Sequence, residues 1–214
     1  MLLVVFDPSS QWYNAAITIA VGWLKQGGKL NYNAYMEPPE AVRIKMSRLG
    51  VNVTQLEMEE KLLIADWYTA TLGEKSKEKE SFPSLKVSDL SLSFSQGSLR
   101  RAPEPGRLNI SDNTSTVARF NDEKNWVEYV LTRAIRMGRV RGHVMIRGLM
   151  DGVHSSWVYK QLESAHDGVI DVKFDETRDP PRNRIRIRTM RNVPFDGSWH
   201  QLSISDNLEV TLEK

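Results

Sequence analysis

The chain is predicted to be an α/β domain: a mainly parallel sheet flanked by helices, closed at its C-terminal side by antiparallel strands. Three observations predict it. Leu2 to Phe6 is an unbroken apolar, β-branched-rich run of the kind covered on both faces in a parallel sheet. Runs of this kind then alternate with segments of helical period. The last thirty or so residues instead read as short strands close together, about as far apart as hairpins allow.

The elements follow in order. After Phe6, Asp7-Pro8-Ser9-Ser10 is a turn rich in capping side chains. Asn14 to Lys25 reads as a helix with Ile17, Val21 and Leu24 on one face, stopped by Gly27-Gly28. Leu30 to Met36 is a second strand, Pro39 to Leu49 a second helix closed by Gly50, and Lys61 to Trp67 a third strand. From Gly73 to Pro105 the alternation breaks. "GEKSKEKES" has no apolar residue and reads as a solvated loop, "LKVSDLSLSF" alternates apolar and polar residues like an extra edge strand, and "RRAPEPG" reads as a linker. The whole stretch is expected to be an insertion in a single domain spanning 1–214. Arg107 to Ser111 is a fourth strand. Asn121 to Met137 is a helix whose Trp126, Val130, Ala134 and Met137 share a face. His143 to Leu149 (strand), Trp157 to Ser164 (helix) and Gly168 to Phe174 (strand) follow, and Arg182 to Met190, Trp199 to Ser205 and Leu208 to Leu212 form the terminal antiparallel set.

Composition removes several classes of function. The 214 residues are 40% hydrophobic, enough to bury a core. No cysteine is present, which excludes disulfide frameworks, Cys-ligated zinc, iron–sulfur clusters and thiol catalysis. The four histidines have no metal-ligand spacing, and His154 in "DGVHSS" reads as a solvated loop residue. Charge is nearly balanced, 29 Lys and Arg against 27 Asp and Glu, so nucleic-acid binding requires a local patch. No segment is long and apolar enough for a membrane span or a signal peptide, and a cytoplasmic protein with no membrane partner is expected.

Ligands of α/β sheets sit at the carboxyl ends of the strands. The first such end would hold a phosphate-binding loop, G-x-x-x-x-G-K-[ST], whose glycines admit backbone N–H groups and whose lysine supplies charge. Here the eight positions are Asp7, Pro8, Ser9, Ser10, Gln11, Trp12, Tyr13 and Asn14. Asp7 is negative, Pro8 lacks an N–H donor, and Trp12 and Tyr13 stand where glycine and lysine belong. A plain strand–turn–helix is the favoured reading. An altered anion site, or a base-stacking site at Trp12, is the alternative. No cofactor is expected. A second candidate is the stripe Arg182, Arg184, Arg186 and Arg188, brought to one face by period two, with a further basic group at Arg133, Arg136, Arg139 and Arg141. The stripe suits nucleic-acid phosphates, an exposed edge-strand face kept soluble by charge, or a subunit contact facing acidic residues such as Glu57, Glu59 and Glu60.

Several segments resemble the KaiC-type branch of the RecA superfamily. "YMEPPEAVRIKMSRLGVNV" is similar to the family's strand ending in a Glu-Glu pair and the helix after it. "RLNISDNTST" is similar to its Walker B strand. "QLESAHDGVIDVKF" and "NRIRIRTMRNVPFDGSWHQLSISDNLEVTL" are similar to its DGVI strand, its Lys-Met-Arg strand and its closing hairpins. The resemblance runs from Leu2 to Leu212 apart from the insertion and implies a RecA-like sheet. The chain opens directly on its first core strand, without the family's upstream Gly-rich segment. The resemblance implies that Glu37 occupies the first place of the carboxylate pair that polarises water, with Pro38 in the second. Asp112 then occupies the Walker B place, which holds Mg²⁺ through water. Thr189-Met190-Arg191 stands for the Lys-Met-Arg motif that reaches a neighbouring subunit's γ-phosphate. Without a phosphate clamp, Glu37 and Asp112 are vestigial, since positioning and charge stabilisation are nearly all of phosphoryl-transfer catalysis.

The expected function is therefore a catalytically degenerate RecA/KaiC-like ATPase domain, a structural or regulatory subunit in an oligomer of itself or with a RecA-like paralogue. Arg191 is the residue expected to act on a neighbour. The alternatives are a nucleic-acid-binding recombination accessory resembling the archaeal RadA paralogues, through Arg184, Arg186 and Arg188, and a weak ATPase.

Overall fold

The structure is a computed structural model that describes residues 1–96, 106–135 and 144–213. Nine strands form one sheet in the order β3-β2-β4-β5-β1-β6-β7-β8-β9. These are β1 (Leu2–Phe6), β2 (Leu30–Ala34), β3 (Leu62–Asp66), β4 (Leu108–Ser111), β5 (Val144–Met150), β6 (Gly168–Asp175), β7 (Arg182–Met190), β8 (His200–Ile204) and β9 (Val210–Leu212). The pairings among β1 to β6 are parallel; those of β6 with β7, β7 with β8 and β8 with β9 are antiparallel. Apart from the extra edge strand expected at "LKVSDLSLSF", the strands read from the sequence are all present, with ends shifted by two residues at most.

Alternating side chains divide the core. On one face, α1 (Trp12–Lys25), α2 (Pro39–Arg48) and α3 (Val53–Met58) cover Val4, Phe6, Leu30, Tyr32, Ile64 and Ile110. On the other, α5 (Val87–Gln96), α7 (Glu123–Tyr129), a π-helical turn over Val130–Ile135 and α8 (Ser156–Ala165) cover Leu3, Val5, Tyr35, Leu149 and Val169. Two short turns, α4 (Tyr68–Thr71) and α6 (Ser115–Ala118), follow the ends of β3 and β4. No helix among the described residues is long and apolar enough to cross a membrane.

Several sequence expectations need correction. "LKVSDLSLSF" is not an edge strand: Val87–Gln96 is helical, and Leu85 and Leu90 are buried against the second core. Five residues of alternation fit either period, and burial of Leu85 and Leu90 in the core cluster that also holds the stacked rings of Trp67 and Phe82 (3.6 Å) decides for the helix. The charged segment before it is anchored, not merely solvated. Asp66 accepts from Ser76 Oγ (2.6 Å), and Arg43 binds both Glu57 and Glu78. The helix expected from Asn121 to Met137 is α for Glu123–Tyr129 only, then π-helical to Ile135. Met137, the side chain of Arg133, Arg136, Arg139, Arg141, His143 and residues 100–105 of the linker lie outside what is described. β7 is an interior strand between β6 and β8, so its arginine face is not an edge.

Candidate functional site

The carboxyl ends of β1, β2, β4 and β5 meet at one edge of the sheet, and the candidate residues gather there. Asp7 follows β1. Its N–H donates to the carbonyl of Val172 (2.8 Å), and its Oδ1 accepts from Ser9 N–H (2.7 Å). Ser10 donates both N–H and Oγ–H to the Asp7 carbonyl, at 2.9 and 2.6 Å. Gln11 N–H, at the start of α1, donates to Asn183 Oδ1 of β7 (3.0 Å), and Gln11 Oε1 accepts from Asn14 Nδ2 (2.7 Å). The amides of Ser9, Ser10 and Gln11 are thus all engaged within the chain. Helix N-termini bind phosphate through such amides only where they point outward and free.

Trp12 points inward. Its ring is stacked on Phe6, 1% of the residue is exposed, and its indole N–H donates to the Asp112 carbonyl at 2.7 Å. Room for this contact comes from Gly148 on β5, where a Cβ would stand 2.1 Å from the Asp112 carbonyl oxygen and 2.6 Å from Trp12 Nε1. Thr114 then closes the turn after β4, donating its N–H (2.9 Å) and hydroxyl (2.8 Å) to the Gly148 carbonyl. Tyr13 packs edge-on to Phe6, and its hydroxyl accepts from Asn113 Nδ2 (3.2 Å). Burial, helped by the charge of Asp112, raises the Tyr13 phenol's pKa. With Trp12 buried, the base-stacking alternative has no exposed ring to use.

Glu37 and Asp112 come together as the resemblance implied. Both line a cavity of about 10 Å³ with Tyr13, Tyr32, Met36 and Lys45, room for a single water at most. Burial raises the Asp112 carboxyl to about 7, against the backbone N–H groups of Tyr35, Asn113 and Met36 that favour its charged form. The Tyr35 N–H is 3.0 Å from Oδ1. Glu37 forms an ion pair with Lys45 one helical stretch later, and does not cap α2, whose N-cap is Pro38.

The arginine stripe lies elsewhere and is paired inside the chain. Register sets Asp171 opposite Arg186. Arg186 Nε donates to Asp171 Oδ2 (2.8 Å), Arg188 Nε to Asp171 Oδ1 (2.9 Å), and Arg188 also binds Glu163 of α8. Arg184 pairs with Asp175 (3.1 Å), and Arg182 donates to Gln201. Burial alone would raise the pKa of Asp171, but the bonds from Arg188 and Arg186 hold it below the usual carboxylate range. Arg184 and Arg186 also lie over the Trp199 ring, at 5.3 and 4.6 Å. Within the chain, the stripe's acidic partners are Asp171, Asp175 and Glu163, while Glu57 pairs with Arg43 and Glu59 with Lys61. Arg191 sits past the end of β7, beside the start of β6 and at the opposite end of the sheet from Asp7 and Asp112. It is exposed, and its guanidinium bonds the Ser164 carbonyl (2.5 Å).

Sequence reading misses one cluster. The side chain of His154 is 4% exposed, not solvated. Its ring stacks on Trp126 (5.2 Å), and its two nitrogens meet Ser115 Oγ (2.8 Å) and Glu123 Oε1 (3.3 Å). Burial holds its pKa down, with Glu123 opposing. Ser115 Oγ also accepts the Met150 N–H (2.9 Å), and Ser115 is 3% exposed. The cluster ties the ends of β4 and β5 to α7. Only the neighbouring Trp126 and Glu123, a helix away in sequence, could have signalled it.

A sheet of this order, with two acidic residues at the ends of β2 and β4 beside the β1–α1 turn, defines a RecA-type α/β domain. The family model of the KaiC ATPase matches residues 19–213, and the chain belongs to that family. Among solved structures it is similar to the KaiC-like protein PH0186 of the hyperthermophilic archaeon Pyrococcus horikoshii OT3, with TM-score 0.72 and 16% identity, covering 100% of this chain and 88% of that one. It is also similar to the uncharacterised protein PH0321 of Pyrococcus horikoshii, crystallised in complex with an unknown peptide, with TM-score 0.69 and 15% identity, covering 99% and 91%. No curated protein matches the sequence.

Proposed function

We propose that this chain is a KaiC-family domain that no longer hydrolyses ATP and serves as a structural or regulatory subunit, assembling with copies of itself or with a RecA-like paralogue. The observation that carries this reading is the Trp12–Asp112 contact: the indole and the backbone of the Walker B position occupy each other at 2.7 Å. A triphosphate needs outward amides and a cation at this turn, and residues 7–14 contain no lysine or arginine. Glu37, the remaining water-polarising candidate, is neutralised by Lys45. Arg191 supports the assembly role. It is exposed at the end of the sheet opposite Asp7 and Asp112, where its guanidinium, on the chain's own Ser164 carbonyl, is open to an adjoining subunit.

The test has two parts. Calorimetry with Mg-ATP is expected to give no binding heat; nucleotide-dependent heat that survives in an Asp112→Asn, Glu37→Gln control as well as in the wild type would be nonspecific, whereas heat confined to the wild type would overturn the reading. Light scattering, alone and with a RecA-like paralogue, is expected to show assemblies that Arg191→Ala weakens. A monomer under every condition would remove the subunit role. Nucleic-acid binding is the second reading, and the Arg184 and Arg186 guanidinia over Trp199 favour it. Their engagement with Asp175 and Asp171 leaves little free charge, so binding that falls on Arg184→Ala and has a steep salt dependence is what this reading requires.

A further inference from the structure

After β5 the chain runs through residues 151–155 into α8, and a line of hydrogen bonds holds this loop. The Met150 N–H donates to Ser115 Oγ (2.9 Å), and Ser115 Oγ meets His154 Nε2 (2.8 Å). His154 Nδ1 meets Glu123 Oε1 (3.3 Å), and the Ser155 N–H donates to the same oxygen (3.1 Å). The Val153 N–H donates to the Tyr159 hydroxyl (3.3 Å), which donates to the Met150 carbonyl (2.7 Å). Three elements thus grip one loop: α6 through Ser115, α7 through Glu123 and α8 through Tyr159.

The chemistry of the two ends of this line fixes where each proton sits. Bonds from Ser155 and the nearby His154 hold the Glu123 carboxyl below the usual carboxylate range, so it is ionised and only accepts. His154 Nδ1 therefore carries a hydrogen. In a neutral imidazole Nε2 is then bare and accepts the Ser115 hydroxyl proton. At the other end the Met150 N–H is a backbone group that only donates. A proton added at Nε2 meets the Ser115 hydroxyl hydrogen head-on. That hydrogen must turn away from its acceptor, and the reversal stops at Ser115 because the Met150 amide cannot accept. Ser115 is 3% exposed, so burial denies it a water in exchange.

The groups around the ring pull in both directions. Glu123 and the stacked Trp126 ring (5.2 Å), both of α7, favour an imidazolium. The Tyr159 ring of α8, at 6.0 Å, carries a phenol that burial keeps neutral. Burial of the His154 side chain outweighs the pull of Glu123 and keeps the ring below the ordinary histidine range.

We propose that Ser115, His154 and Glu123 form a proton-operated latch on the β5–α8 loop, closed while His154 is neutral and open once it is protonated. Opening releases residues 151–155 and the start of α8 from α6 and α7. The β4–α6 turn that carries Ser115 also carries Asp112, so acid loosens the same edge of the sheet. The latch works with or without nucleotide, since its groups are distinct from Glu37 and Asp112.

The test follows the full chain by NMR from pH 8 down to pH 4. The His154 ring proton, assigned by its loss in His154→Gln, is expected to titrate below about pH 6.5. Over the same range the exchange protection factors of the Met150, Val153 and Ser155 amides are expected to fall roughly tenfold or more, while those of β1 hold. In His154→Gln, whose side chain stays neutral, the three protection factors are expected not to change with pH; this variant keeps Asp112, so it separates the two titrations. Protection that is flat through the His154 titration, the same acid loss in His154→Gln, or a ring titrating at or above the ordinary value would each overturn the latch. Should His154→Gln fail to fold, Glu123→Gln removes the charge that favours the imidazolium and is expected to move both the titration and the loop opening to lower pH; loop opening that does not move with the titration overturns the latch equally.

Discussion

The indole N–H of Trp12 and the main-chain oxygen of Asp112 meet at 2.7 Å across 100 residues of sequence, joining the first turn of α1 to the end of β4. Trp12 is fully buried there against Phe6, so the contact combines a satisfied hydrogen bond with aromatic packing. Replacing Trp12 with alanine removes both and leaves a cavity. A loss of about 3–5 kcal/mol in unfolding free energy is expected, read by urea denaturation. A loss under about 1 kcal/mol would mean that the ring is not buried in the core.

Gly148 makes that contact possible, and the crowding at its Cα is with backbone as well as with the indole. Gly148→Ala is therefore expected to destabilise by about 3 kcal/mol or more. Combining it with Trp12→Ala should rescue little, because the Asp112 carbonyl still stands in the way. Full rescue in the double variant would locate the clash at the ring alone.

Asp112 should give the protein an unusual pH dependence. Its carboxyl is raised to about 7, so between about pH 4 and pH 7 the folded state holds a proton that the unfolded state has released. Stability from this group therefore falls as pH rises through that window, by up to about 1.4 kcal/mol per pH unit, and is flat above it. Asp112→Asn removes the slope. Urea midpoints of the two proteins across pH 4 to 8 should diverge in slope; parallel curves would count against the burial argument.

Asp171 has the opposite sign. Arg188 and Arg186 hold its pKa below the usual range, so its contribution is present above about pH 4 and disappears as pH falls through its folded-state pKa. Asp171→Asn leaves two guanidinia short of a counter-charge and is expected to lose about 3 kcal/mol at neutral pH. The gap from wild type should close in acid. A constant gap at all pH values would show that shape, not charge, is what the site supplies.

Much of the fold is legible from local pattern. The apolar run at Leu2 to Phe6, the Pro38-Pro39 entry to α2 and the glycine stops mark elements whose cause lies within a few residues. Family resemblance places Glu37 and Asp112 at neighbouring strand ends, where they line one cavity. The segment at Val87–Gln96 misleads because its short alternation suits two periods, and only the burial of Leu90 in the core cluster with Trp67 and Phe82 separates them. His154 misleads because a histidine in a Gly- and Ser-containing turn carries no sign of the ring that will stack on it.

Local chemistry along the chain dictates the order of strands and helices, the absence of thiol chemistry, the lack of a lysine in the β1–α1 turn, and the period-two placement of Arg182, Arg184, Arg186 and Arg188. Those are properties of composition and of spacing. Which charges face each other, and which rings fill which space, is set by the assembled sheet. Asp171 is fifteen residues from Arg186 and becomes its neighbour only through antiparallel pairing of β6 with β7. Trp12, Asp112 and Gly148 converge only because β4, β5 and β1 lie side by side. Burial and electrostatics depend on distances between segments far apart in sequence, and those distances exist only once the sheet has formed.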